Sequence, residues 1–139
     1  MEKSTAFPVE IPFLTQLGVE YLGMENGRAE VALNLKPEHM NSWHVTHGGV
    51  TMTLLDVVMS LAGRSLDPDL RAGVTVEMKT SFLQPGGTPG SRLIAKGFAF
   101  HRSTTMCFCE AELHDGNKLV AKAMGTFKYI RRLDVAAKL

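Results

Sequence analysis

Net charge is nearly absent from this chain. Its 15 Lys and Arg stand against 14 Asp and Glu, a formal +1, so no electrostatic field favours nucleic acid or an acidic membrane surface. Cysteine is scarce: Cys107 and Cys109 are the 2 present. They lie two apart on an expected strand, sharing a face but poorly placed to bridge each other. Buried free thiols in a reducing cytoplasm are the expectation. Long apolar runs are missing too. None reaches a membrane span, because Asp56 interrupts the greasiest stretch. The opening residues, MEKSTAFPVEIP, have one lysine and no long apolar region, unlike a signal peptide. Repeats, linkers and low-complexity tracts do not occur. What remains is a single domain over residues 1–139, 45% hydrophobic, of ordinary globular composition.

Residues 9–17 suit a short helix with Pro12 near its first turn. Residues 19–25 and 28–35 read as a hairpin around Asn26-Gly27. In its second strand Ala29, Val31, Leu33 and Leu35 alternate with Arg28, Glu30, Ala32 and Asn34, so one face is core and the other is wet. Residues 36–47 have no period. This loop holds three of the histidines, the sole tryptophan and Asn41. A helix follows from Val50 to Leu66, stopped by Asp67-Pro68-Asp69. Then come four strand-like segments: 72–84, with Val74, Val76, Met78 and Phe82 on one face; 91–101; 104–113; and 118–129. Residues 131–139 read as a loose tail. Two strands, one buried helix and a four-strand meander make an α+β domain, a six-stranded antiparallel sheet wrapped around one long central helix.

That helix is apolar on every side of its wheel, which implies burial all round. Asp56 sits in its middle, with Gly49, Met52, Thr53, Ser60 and Gly63 at helical spacing around it. A buried carboxylate must be paired, hydrogen-bonded or protonated. Thr53 or a neighbouring chain is the structural partner to expect. The functional reading is a general base or nucleophile in a dry cleft. Ahead of the helix, His47-Gly48-Gly49 leaves the first amides unshielded, a place for an anion or a developing oxyanion.

Asn41, His47-Gly48-Gly49 and Asp56, in this spacing at the opening of the sole long helix, resemble the signature of hotdog-fold acyl-CoA thioesterases. The PaaI-type and thioesterase-superfamily-member-2 branch is the nearest. The likeness runs from about Phe13 to Tyr129 and includes GVTVEMKTSFLQP, which looks like the family's third strand. It implies hydrolysis of an acyl-CoA thioester, with coenzyme A as part of the substrate and no cofactor or metal. Asp56 matches the carboxylate that activates water or attacks the thioester, and the Gly48 amide matches the donor that polarises its carbonyl. Asn41 matches a holder of the attacking water, Thr75 a hydroxyl supporting water or carboxylate, and His47 a supporting member of the motif. His101, Arg102 and Ser103 match positions for the coenzyme A phosphates. A non-catalytic acyl-CoA-binding hotdog module is the alternative; a dehydratase of this fold would pair a loop histidine with a helix Glu, where this chain has Asp56.

Gly48 and Asp56 are eight residues apart, roughly 12 Å along a helix axis. A polarised carbonyl must lie about 3 Å from its donor, so one helix does not readily serve both ends of one thioester. A second helix running antiparallel beside the first does. The expectation is a cytoplasmic homodimer with sites shared between subunits, further assembled as a dimer of dimers, with no nucleic acid or membrane partner.

Overall fold

The structure is a computed structural model and describes residues 6–131. The expected loose tail therefore lies outside the described residues, Arg131 apart. In chain order the elements are α1 (Pro12–Leu17), β1 (Glu20–Glu25), β2 (Arg28–Asn34), α2 (Gly48–Leu66), β3 (Ala72–Phe82), β4 (Arg92–Arg102), β5 (Met106–Asp115) and β6 (Lys118–Ile130). α1 starts later than expected, because Pro12 takes its first turn and Ile11 before it is extended. The hairpin turn is as expected: Asn26 and Gly27 have φ of 49° and 80°, the left-handed pair that matches strand twist.

The sheet has six strands in the order β1-β2-β4-β5-β6-β3, every neighbouring pair antiparallel. The expected meander holds for β4, β5 and β6 and fails for β3. That strand lies at the far edge beside β6, and the chain crosses back through residues 83–91 to set β4 against β2. Alternation reports which face of a strand is buried and is silent on its neighbour. The crossing is tied down locally: Leu35 N donates to Ser91 O, Gly90 N to Leu35 O, and the Thr46 amide to Gly87 O.

α2 lies in the curl of the sheet. Leu54, Leu55, Val58, Met59, Leu61 and Ala62 are buried against the strands. Burying a Leu or Met side chain is worth about 1.5–3 kcal/mol, so this row anchors the helix. The approach is close because strand residues are small. A Cβ on Gly97 would sit 2.5 Å from Val58 O, so no larger residue fits there without moving the helix. Tyr129 pins the far end, its hydroxyl donating to Gly63 O at 2.6 Å.

The all-round burial expected of α2 does not hold. Gly49 and Met52 are exposed, and Thr53, Asp56 and Ser60 are half-exposed. The small and polar positions around Asp56 form an open stripe down the helix, with the exception of Gly63, which is buried on the core side. By length and composition α2 also passes as a membrane span, contrary to the sequence expectation. Its apolar side is the core of the sheet.

Candidate active site

The loop before α2 is ordered by its own polar groups. His39 is buried; its Nδ1 accepts from Lys36 N and its Nε2 donates to Leu17 O. Asn41 Oδ1 accepts from Trp43 N at 2.9 Å and Val45 N at 3.3 Å, an Asx-type turn. With the oxygen committed to the backbone, the Asn41 amide nitrogen is the end left to offer its hydrogens outward.

His47 caps α2. Its Nδ1 accepts from Gly49 N at 2.8 Å, so the ring carries its proton on Nε2. A Cβ on Gly49 would lie 3.0 Å from that Nδ1 and push the cap aside. Val50 N and Thr51 N turn back to His47 O. The Gly48 amide is the first of the helix and has no acceptor among the described residues. It lies beside the Phe82 ring, whose nearest atom is 3.5 Å from where a Gly48 Cβ would be.

Asp56 is held from β3. Thr75 Oγ1 donates to Asp56 Oδ1 at 2.6 Å. Thr53 is not its partner, for that hydroxyl donates to Gly49 O at 2.8 Å. Asp56 Oδ2 has no partner among the described residues and lies on the open stripe. A bulge makes the Thr75 contact possible. In the β3–β6 register Thr75 lies opposite Phe127, Glu77 opposite Thr126, and Val76 is the extra residue. Thr75, Met78, Thr80 and Phe82 therefore share the helix side of the strand, opposite the buried positions of β6. Val74 turns outward, which corrects the expected face of Val74, Val76, Met78 and Phe82.

β3 runs antiparallel to α2 along this stripe. Phe82 lies by Gly48, Thr75 by Asp56, and Gly73 O accepts from Ser60 Oγ. Within one chain Gly48, at one end of this groove, and Asp56, part-way along it, are about 12 Å apart along the axis.

His101, Arg102 and Ser103 do not gather in one place. A bulge at Phe100 puts His101 opposite Phe108 and Arg102 opposite Cys107, so the two point to opposite sides of the sheet. Arg102 joins Arg71 on the buried carboxylate of Asp67, at 3.2 and 2.8 Å. Both guanidiniums lie over the Tyr129 ring, at 5.2 and 5.0 Å. The hydrogen bonds from Arg71 hold the Asp67 carboxyl down to about 2 against the cost of burial. Ser103 Oγ accepts from Met106 N in the β4–β5 turn. Arg71, Arg102 and Ser103 line an open cleft of about 540 Å³ at the C-terminal end of α2. Asp67 and Arg71 were missed from sequence; their four-residue spacing just past the helix was the available signal.

Cys107 and Cys109 are free, buried and 3.9 Å apart at sulfur. They pack against Gly63 on the core side of α2, away from the open stripe. Among the described residues no three His, Cys, Asp or Glu side chains gather as a metal-binding cluster.

A curled antiparallel sheet around one helix, with a carboxylate on the open side of that helix, defines a hotdog-fold domain. The chain belongs to the thioesterase superfamily, whose profile matches residues 44–122. It is 34% identical over 123 residues to SSO2140 of Saccharolobus solfataricus, a provisionally named esterase, covering 88% of this chain and 85% of that one. It is 28% identical to the medium/long-chain acyl-CoA thioesterase YigI of Salmonella typhimurium, over 87% of each. Among solved structures, PA5202 of Pseudomonas aeruginosa superposes with a TM-score of 0.81 at 30% identity, covering 87% and 95% of the two chains. A point mutant of the phenylacetic acid degradation protein PaaI of Thermus thermophilus gives 0.78 at 27% identity, covering 86% and 100%. The family resemblance carried by the Asn41, His47-Gly48-Gly49 and Asp56 motif is borne out.

Proposed function

We propose that this protein hydrolyses an acyl-CoA thioester to a free carboxylic acid and coenzyme A, in sites built by two copies of the chain. The observation that carries this reading is Asp56: one carboxylate oxygen is fixed by Thr75 and the other is free on an open stripe. A carboxylate so held has one oxygen to orient and one to react.

In the general-base form, Asp56 takes a proton from water and the oxygen attacks the thioester carbon. The Asn41 amide donates to that water and leaves it a second lone pair for attack. The carbonyl oxygen becomes an oxyanion, and the Gly48 amide stabilises it. Collapse of the tetrahedral intermediate breaks the C–S bond and expels the coenzyme A thiolate, which takes up a proton. In the nucleophilic form Asp56 attacks the carbon itself, and water then cleaves the mixed anhydride. His47 serves either route by fixing the helix start, which directs the Gly48 amide outward.

The separation of Gly48 from Asp56 supports a shared site. So does the unpaired edge of β3, where Val76 and Phe82 are each 55% exposed. An apolar edge strand of this length invites pairing with another. Two copies joined along β3 would bring the two α2 helices side by side and antiparallel. Asn41, His47 and Gly48 then come from one chain, Asp56 and Thr75 from the other. Arg102 and Ser103 are our candidates for the coenzyme A phosphates, now with Arg71. Their cleft lies about 16 Å along α2 from Asp56, within reach of an extended pantetheine arm. His101, on the other side of the sheet, is dropped from that group. Two reduced, buried thiols and a coenzyme A ester substrate suit the cytoplasm.

A panel of acyl-CoAs, assayed for released thiol, tests the reading. Turnover of one acyl class, lost on Asp56→Ala, is the expected result. Saturable binding without turnover would instead make the protein a non-catalytic acyl-CoA-binding module.

A further inference from the structure

Thr80 carries a hydroxyl that the fold does not use. It sits on the helix side of β3 between Met78 and Phe82, opposite the buried Ala123 of β6. Its Oγ1 is buried and has no hydrogen-bond partner among the described residues. Its neighbours along the groove both use theirs: Thr53 donates to Gly49 O and Thr75 to Asp56. A buried hydroxyl without a partner destabilises a fold, and native proteins hold few of them. Val would suit this strand position as well, with no polar atom to satisfy. Thr80 also stands beside the reacting groups. β3 runs antiparallel to α2, with Phe82 against Gly48 and Thr75 on Asp56. Thr80 therefore lies along the first two turns of the helix, where Met52 is exposed on the open stripe.

We infer that Thr80 selects the acyl group: its hydroxyl bonds a hydroxyl on the third carbon of the acyl chain, which makes 3-hydroxyacyl-CoA esters the preferred substrates. This rests on the shared-site thioesterase reading and deepens it. In that site the coenzyme A arm runs from Asp56 of one chain towards Arg71 and Arg102 at the end of the same chain's α2. With the helices antiparallel, that direction leads past the start of the other chain's α2. The acyl group leaves the carbonyl the opposite way, over the first turns of the helix that supplies Gly48, and so along Thr80 of that same chain. The lengths agree. Alternate residues of a strand are about 7 Å apart, which is the step from Phe82, beside the carbonyl, to Thr80. From the carbonyl carbon, two carbon–carbon bonds, one carbon–oxygen bond and a hydrogen bond also span about 7 Å. A hydroxyl on the second carbon stops roughly 1–2 Å short. The Thr hydroxyl both donates and accepts, so it pairs with the substrate hydroxyl in either sense. An unsubstituted chain leaves Thr80 unpaired, and a site that loses a buried hydrogen-bond partner rejects the analogue that lacks it.

Calorimetric binding to the Asp56→Ala protein tests this without turnover. The probes are matched pairs: 3-hydroxybutyryl-CoA against butyryl-CoA, and 3-hydroxydodecanoyl-CoA against dodecanoyl-CoA. In at least one pair the hydroxy ester should bind roughly tenfold or more tightly than the plain one. Adding Thr80→Val should bring that ratio close to one by weakening the hydroxy ester alone, and Thr80→Ser in its place should restore the preference. Unchanged binding of the plain ester is the control that Thr80→Val has folded. A ratio that survives Thr80→Val, an equal loss for both esters, or no preference in either pair would overturn the proposal; a trapped water on Thr80 predicts the equal loss. Absence of binding by any of the four esters would overturn it too. A failure of the catalytic reading alone shows differently, as a Thr80-dependent preference in binding with no hydrolysis of either ester by the wild-type protein.

Discussion

Thr75 donates its hydroxyl to Asp56 at 2.6 Å, tying the middle of α2 to an edge strand 19 residues further along the chain. A hydrogen bond to a charged group is worth about 1.5–3 kcal/mol, or roughly 10- to 100-fold if it acts on the rate. Thr75→Val should lower kcat within that range with little change in KM, and Thr75→Ser should restore it. An unchanged kcat in Thr75→Val would make the bond structural only.

Asn41 does two separable things. Its oxygen holds the turn through Trp43 N and Val45 N; its nitrogen is the free donor. Asn41→Asp keeps an acceptor oxygen for the two backbone amides and removes the donor. The variant should melt close to wild type and lose turnover by ~10² or more. Asn41→Ala should lose turnover and also thermal stability, since the turn is released. If Asn41→Asp retains full kcat, Asn41 belongs to the loop alone.

Asp67 sets an acid limit on the fold. Its carboxyl, held near 2 by Arg71, is easier to protonate in the unfolded chain, at about 3.9. The unfolded state therefore takes up the proton first as pH falls. The stabilisation is complete above about pH 4 and is lost as the pH drops through about 2, a contribution of about 2–3 kcal/mol at neutrality. Urea unfolding of Asp67→Asn should show lower stability at pH 7 and a flatter decline in acid than wild type. Parallel pH curves for the two would contradict this.

Local signals gave the elements and the helix motif; non-local ones were out of reach. The Asn26-Gly27 turn, the alternation in β2 and the stripe around Asp56 are each written in neighbouring residues. The bulge at Val76 is not, because alternation cannot tell which residue will go unpaired until the β6 partner is known. That single residue decides whether Thr75 or Val74 meets the helix. The place of β3 at the far edge depends likewise on pairing across the whole chain. The pairing of Arg102 with Asp67 was illegible for the same reason: the two lie 35 positions apart and are brought together by the fold.

The central claim is that Gly48 of one chain and Asp56 of another complete one site. Gly48→Pro removes the amide donor with little disturbance: the position is the first of α2, His47 before it has ψ of 137°, and proline suits such a place. Asp56→Ala removes the carboxylate, and each variant alone should lose at least ~10² in turnover. Mixed under conditions that exchange subunits, every hybrid dimer then holds one intact site and one doubly damaged one. Random exchange of equal amounts should recover about a quarter of wild-type activity. No recovery despite proven exchange would place Gly48 and Asp56 of each site in the same chain and contradict the account.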